Sequence, residues 1–100
     1  MHALEYILQN MGDAFVHLNR DWKYVFVNTK ALSLMNKKKD DLIGKEIWDV
    51  FPDIIGGLFE TEFRKAMELG IDRSFEIYYD SYAMWLEVRA FPNVKGLSIF

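Results

Sequence analysis

The sequence predicts an α+β domain: a five-stranded antiparallel sheet with its helices on one face and a further helix flanking it at the N-terminus. Three observations carry this reading. The apolar patterns run in the order two strands, four helical pieces, three strands. The strand Tyr24–Val27 is followed by three helical pieces too short to cover a sheet as an ordinary parallel crossover does. Such a segment wraps round one end of a sheet and leaves a hollow. Both faces of the first two strands are apolar, so the sheet needs cover on both sides.

At the N-terminus, Leu4, Ile7, Leu8 and Met11 fall at helical spacing and make one apolar stripe, and Gly12-Asp13 ends that helix. A helix this short is marginal alone and needs a surface to dock on. Ala14–Leu18 reads as the first strand, with Ala14, Val16 and Leu18 on one face and Phe15 and His17 on the other. The turn Asn19-Arg20-Asp21 leads to the second strand, where Val25 and Val27 alternate with Tyr24 and Phe26. Asn28 sits where an N-cap belongs, with Thr29 as the alternative. The short helix behind it carries Ala31, Leu32, Leu34 and Met35; Lys37-Lys38-Lys39 break the pattern. Asp40 is placed to cap a second turn closed by Gly44, and Glu46–Val50 make one more before Pro52. The longest helix is expected over Leu58–Leu69, stopping at Gly70, with Phe59, Phe63, Ala66, Met67 and either Leu69 or Leu58 buried and Glu60 paired with Arg64 on the wet side beside Glu62. Three strands follow: Arg73–Tyr79, Tyr82–Phe91 with Leu86, Val88 and Ala90 inward, and Gly96–Phe100 after a turn at Pro92-Asn93.

The stretch Arg20–Pro52 resembles the PAS domain family, the sensory modules of histidine kinases and related signalling proteins. The matching pieces are the strand ending in Asn28, the step Asp41-Leu42-Ile43-Gly44, and Ile47-Trp48-Asp49-Val50-Phe51-Pro52. Trp85-Leu86-Glu87-Val88-Arg89-Ala90-Phe91-Pro92 and Gly96-Leu97-Ser98-Ile99-Phe100 resemble the last two strands of such domains. No single motif is diagnostic; five in the right order at the right spacing carry the resemblance over nearly the whole chain. It implies one PAS domain over residues 1–100, a flanking helix over 1–12 and a core over 13–100, as a fragment of a longer multidomain signalling protein. In the family the last strand usually runs on into a connecting helix.

Composition narrows the function classes. The net charge of −3 argues against a nucleic-acid partner, and the lone basic run, Lys37–Lys39, is followed at once by Asp40 and Asp41. There is no cysteine, which excludes disulfides, thiolate metal sites and thiol catalysis, and with them the cysteinyl–flavin photochemistry of one PAS subgroup. No apolar run approaches the roughly 20 residues of a membrane span and no signal peptide is visible, so the domain is expected in the cytoplasm without membrane contact.

No catalytic constellation stands out. The histidines are His2 and His17, and no carboxylate or nucleophile is patterned beside His17; it is expected on the sheet surface under the N-terminal helix. The resemblance places a haem-ligating histidine on the long helix, which here has none. Trp48 reads as a core plug in preference to a stacking platform, and Asn28 as a cap in preference to a ligand donor. Gly56-Gly57 lacks the lysine and preceding strand of a phosphate loop. Glu87 and Arg89 share one strand face and read as surface.

The family architecture implies walls for the hollow from Val16, Val25 and Val27, from Ala31, Met35 and Trp48, from Phe59, Phe63 and Met67, and from Ile77, Leu86, Val88 and Leu97. These either fill the space or leave a dry pocket for a small apolar molecule. A mostly filled core is favoured, because no polar anchor stands out, and no cofactor is expected. The expected function is a sensory and interaction module that passes a signal to an output domain of the same chain, in a sensor histidine kinase of a two-component system, and is not itself an enzyme. The alternatives are a ligand-free dimerisation module in a cyclic-dinucleotide enzyme or transcription regulator, and a cone-shaped α+β enzyme of the isomerase kind. A homodimer is expected through Leu4, Ile7, Leu8 and Met11 and the outer sheet face.

Overall fold

In this computed structural model, residues 3–100 are described, with side chains from Tyr6 onward; His2 and the Leu4 side chain lie outside them. The order is α1 (Ala3–Asn10), β1 (Val16–Asn19), β2 (Tyr24–Val27), α2 (Thr29–Met35), α3 (Ile47–Val50), α4 (Leu58–Leu69), β3 (Arg73–Tyr79), β4 (Met84–Asn93) and β5 (Gly96–Ile99). Single 3₁₀ turns at Lys39–Asp41, Pro52–Ile54 and Asp80–Tyr82 complete it. The strands form one antiparallel sheet in the order β2-β1-β5-β4-β3. The α+β architecture expected from the sequence is the one observed.

Local chemistry explains the boundaries. Asn28 caps α2, its side chain accepting from the Ala31 N–H. α4 ends at Gly70, whose φ of 66° is the left-handed conformation a helix stop uses. The first 3₁₀ turn is capped by Asp41 reaching back to the Lys38 N–H, not by Asp40. The outer edge of β2 is covered by the segment around Ile43–Ile47: Gly44 N donates to Tyr24 O, Tyr24 N to Lys45 O, and Ile47 N to Trp22 O.

Three strand details differ from expectation. β1 starts at Val16, because the Phe15 N–H is taken by the Asn28 side chain in place of a ladder partner. β2 carries a bulge opposite the step from His17 to Leu18: Leu18 pairs with Tyr24 and His17 with Phe26, which leaves Val25 unpaired. The extra residue shifts the alternation, so Tyr24 and Val27 both point inward and are 3% and 2% exposed, while Val25 is 52% exposed. β4 begins after Tyr82, where Ala83 is left-handed, and runs on through Pro92 to Asn93. Pro92 fits there because β3 pairing has ended at Ala90, so no ladder bond needs its missing N–H.

The core lies between the inner sheet face and α2, α3 and α4, centred on Leu18, Leu42, Ala66, Ala90 and Leu97, all fully buried. Trp48 belongs to it, its ring 5.0 Å from that of Trp22, with the Arg64 guanidinium over both. Glu60 pairs with Arg64 at 2.8 Å as the spacing suggested. Glu62 does not face water: it is 9% exposed and takes a two-pronged ion pair from Arg73 of β3, at 2.7 and 3.1 Å. Arg73 holds the Glu62 carboxyl below the usual carboxylate range. Arg89 pairs with Asp13 at 3.6 Å, tying β4 to the linker after α1.

Candidate functional site

Between the sheet and the helices lies a cavity of about 390 Å³, open on one side. The filled hollow that the sequence favoured is not what the structure has. The exposed residues of its lining are Gly12 and Asp13, Lys30 and Leu34 of α2, and Glu87 and Arg89 of β4.

Seven of the residues expected to wall the hollow do so: Val16, Ala31, Met35, Phe59, Phe63, Leu86 and Val88. Val25 does not, because the bulge turns it to the outside. Val27, Trp48, Met67 and Leu97 are buried in the core behind the wall. Trp48 is therefore the plug its apolar neighbours implied. Ile77 is half-buried on the inward row of β3 with Phe75 and Tyr79, away from the cavity. The sequence reading missed Tyr24, Ile47, Phe51, Ile54, Tyr79, Tyr82 and Met84, and with them Ala14, Phe15, Ile99 and Phe100, which complete the wall. The inward spacing of Tyr79 on its strand was a usable signal; Tyr24 was hidden by the bulge.

The missed tyrosines change the chemistry of the hollow. Tyr79 and Tyr82 stack with ring centroids 5.3 Å apart. The Tyr79 hydroxyl donates to Asp53 at 2.8 Å, as does that of Ser81, and the Tyr82 hydroxyl donates to the Met35 carbonyl at 2.7 Å. The Ser81 bond, with help from Tyr79, holds the Asp53 carboxyl below its ordinary value. Burial raises all three phenols; Tyr79 and Tyr82 raise Tyr24 further, and the Asp53 bond and charge raise Tyr79 further. These groups stay protonated and serve as donors, not bases.

The cavity wall is linked to α1 through Asn28, which is fully buried. Its carbonyl oxygen accepts from Phe15 N at 3.0 Å and Ala31 N at 2.9 Å, and its amide donates to the Leu8 and Asp13 carbonyls, each at 2.9 Å. Its hydrogen-bonding capacity is spent on the protein, as a cap and clamp. The Gln9 side-chain oxygen Oε1 accepts from both the N–H and the hydroxyl of Thr29, so α1 also caps α2. α2 is thus pinned by α1 at one end and by Tyr82 at the other.

His17 pairs with Ser98 across β1 and β5 at 3.0 Å, and burial, with the charge of Lys95, lowers its pKa. α1 contacts α2 and the Asn28 side chain. Among the described residues no group of three or more His, Asp or Glu side chains is placed to hold a metal ion. No helix among them is long and apolar enough to cross a membrane.

A search of curated proteins finds no match to this sequence. Solved structures do match in fold. The PAS domain of the histidine kinase ThkA is 20% identical, covering 86% of this chain and 93% of its own, with a TM-score of 0.71. A sensory box sensor histidine kinase from Vibrio cholerae is 14% identical, covering 96% and 84%, with a TM-score of 0.76. The photoactive yellow protein domain of the sensor histidine kinase Ppr from Rhodospirillum centenum is 15% identical, covering 100% and 91%, with a TM-score of 0.81. The family model described as the PAS fold matches residues 8–96, nearly the whole chain. With that match and an antiparallel sheet in the order β2-β1-β5-β4-β3 wrapped by short helices, this chain belongs to the PAS fold family.

Proposed function

We propose that this domain is the sensory module of a histidine kinase, that its cavity takes a small and mostly apolar molecule, and that occupancy biases an output domain of the same chain. The cavity carries the reading: about 390 Å³ of largely apolar space lies against α2, and α2 is joined to the N-terminal helix through Asn28 and Gln9. The family membership and the kinase context of the similar structures support a signalling role. We read the domain as acting without turnover, the buried tyrosines of the wall serving as hydrogen-bond donors. It works in the cytoplasm, and no haem or flavin is required.

Native mass spectrometry of protein purified from a rich expression lysate tests this. Extra mass of a few hundred daltons or less per subunit supports the reading. Bare protein that also fails to take up any apolar probe sinks it.

A second reading, a dimerisation module, is favoured by the exposed apolar groups of α1 and the outer sheet face. Ile7 is 62% and Trp85 72% exposed. A homodimer through Ile7, Leu8 and Met11 and through the outer sheet face covers them. It coexists with ligand binding, and Ile7→Asp converts dimer mass to monomer mass if α1 is the interface.

A further inference from the structure

The hydroxyl of Tyr24 is the unassigned group in this molecule. Tyr24 is 3% exposed and lines the cavity. Tyr79 and Tyr82, its neighbours there, spend their hydroxyl hydrogens on Asp53 and on the Met35 carbonyl. Among the described residues no hydrogen bond involves the Tyr24 hydroxyl. Nor is its oxygen sealed off: the side-chain polar atom that is fully buried without a partner is Trp48 Nε1. A phenol oxygen that is unpartnered yet accessible, on a side chain otherwise buried, opens onto the cavity. A buried donor left unpaired costs on the order of 1–3 kcal/mol, so the position favours whatever brings an acceptor to it.

The surroundings restrict what that is. Phe51, Phe59, Phe63, Tyr79 and Tyr82 line the same space. Phe59 meets Tyr79 edge-on at 5.5 Å, so ring edges and faces are both on offer. The charged side chains on the lining are all exposed: Asp13 and Arg89 pair with one another, and Lys30 and Glu87 reach solvent. An anion held among the aromatic rings would meet no buried cation and would approach Asp53 behind the Tyr79 hydroxyl. A cation would find no carboxylate on the inner wall. Either would be desolvated without a partner.

From these observations, and resting on the ligand-sensing reading above, we propose that the cavity takes a neutral aromatic molecule of a few fused rings bearing a carbonyl or ring-nitrogen acceptor, which receives a hydrogen bond from Tyr24. The rings fill the space between the Phe and Tyr side chains, and the acceptor sets the orientation. Burial keeps the Tyr24 proton in place as the donor.

Fluorenone and fluorene test this, because they share a ring system and differ in one carbonyl. Binding of each is measured by calorimetry to the wild-type domain, to Tyr24→Phe and to Leu86→Trp, which fills the cavity. Fluorenone is expected to bind more tightly than fluorene. Tyr24→Phe is expected to weaken fluorenone about three- to tenfold, one hydrogen bond, and to leave fluorene unchanged. Leu86→Trp abolishes both. The bound fluorenone carbonyl stretch moves to lower frequency in the wild type and not in Tyr24→Phe, a readout independent of small stability changes. Equal binding of the two probes with no carbonyl shift overturns the Tyr24 assignment while leaving a ligand-binding cavity. Equal affinity for a fluorenone carboxylate overturns the neutral class. Failure of every probe to bind overturns the inference together with the reading it rests on.

Discussion

Replacing Asn28 by alanine removes four hydrogen bonds at once, and the structure sets the size of the loss. The Ala31 N–H loses its cap, a change that costs about 1 kcal/mol in a typical helix. The Phe15 N–H, buried beside the cap, loses its acceptor, and an unpaired buried donor costs about 1–3 kcal/mol. The Leu8 and Asp13 carbonyls are less deeply placed and find water once α1 lifts, so they add little. The expected total is about 3 kcal/mol, a large part of the roughly 5–15 kcal/mol that stabilises an ordinary domain. Urea unfolding should show a midpoint lower by roughly 1–3 M at unchanged slope, and amide exchange should quicken first from Leu8 to Asp13. The exposed Ser33→Ala serves as the control, expected within about 0.5 kcal/mol of wild type. An Asn28→Ala loss no larger than that control would refute the clamp.

Gly96 should tolerate no side chain: its φ is 143°, and a Cβ there would collide with the Leu18 carbonyl oxygen and the Asn19 backbone where β1 and β5 pair. Gly96→Ala should cost at least about 3 kcal/mol, read as a lowered melting temperature; a near-neutral result would mean that the β1–β5 register is wrong. Asp53 is held below its ordinary pKa chiefly by Ser81. Its stabilising contribution is therefore present above about pH 4 and lost as the pH falls through the lower folded value. Ser81→Ala should flatten the acid limb of the stability profile, and an unchanged limb would show that the bond does not persist in solution.

Much of the architecture was legible because one apolar period recurs in each element. The inward row Leu86, Val88 and Ala90, the long helix closing at Gly70 and the cap at Asn28 each follow from residue type and spacing over a few positions. Five motifs in order pointed to the family before any coordinates did. What local pattern could not carry is pairing between distant segments. The bulge at Val25 depends on what β1 presents across the strand, and it exchanges Val25 for Tyr24 in the interior. The partner of Glu62 is Arg73, eleven residues away on another element, so helix periodicity alone left that carboxylate in water. The cavity is a matter of volume: the same apolar residues could have closed on one another, and only their three-dimensional packing leaves about 390 Å³ between them. The apolar character of the wall was thus readable from the sequence, but its three tyrosines were not among the residues expected there. The empty space and the free phenol facing it were decided by tertiary structure, because burial and hydrogen-bond pairing are properties of neighbours that the chain brings together only when folded.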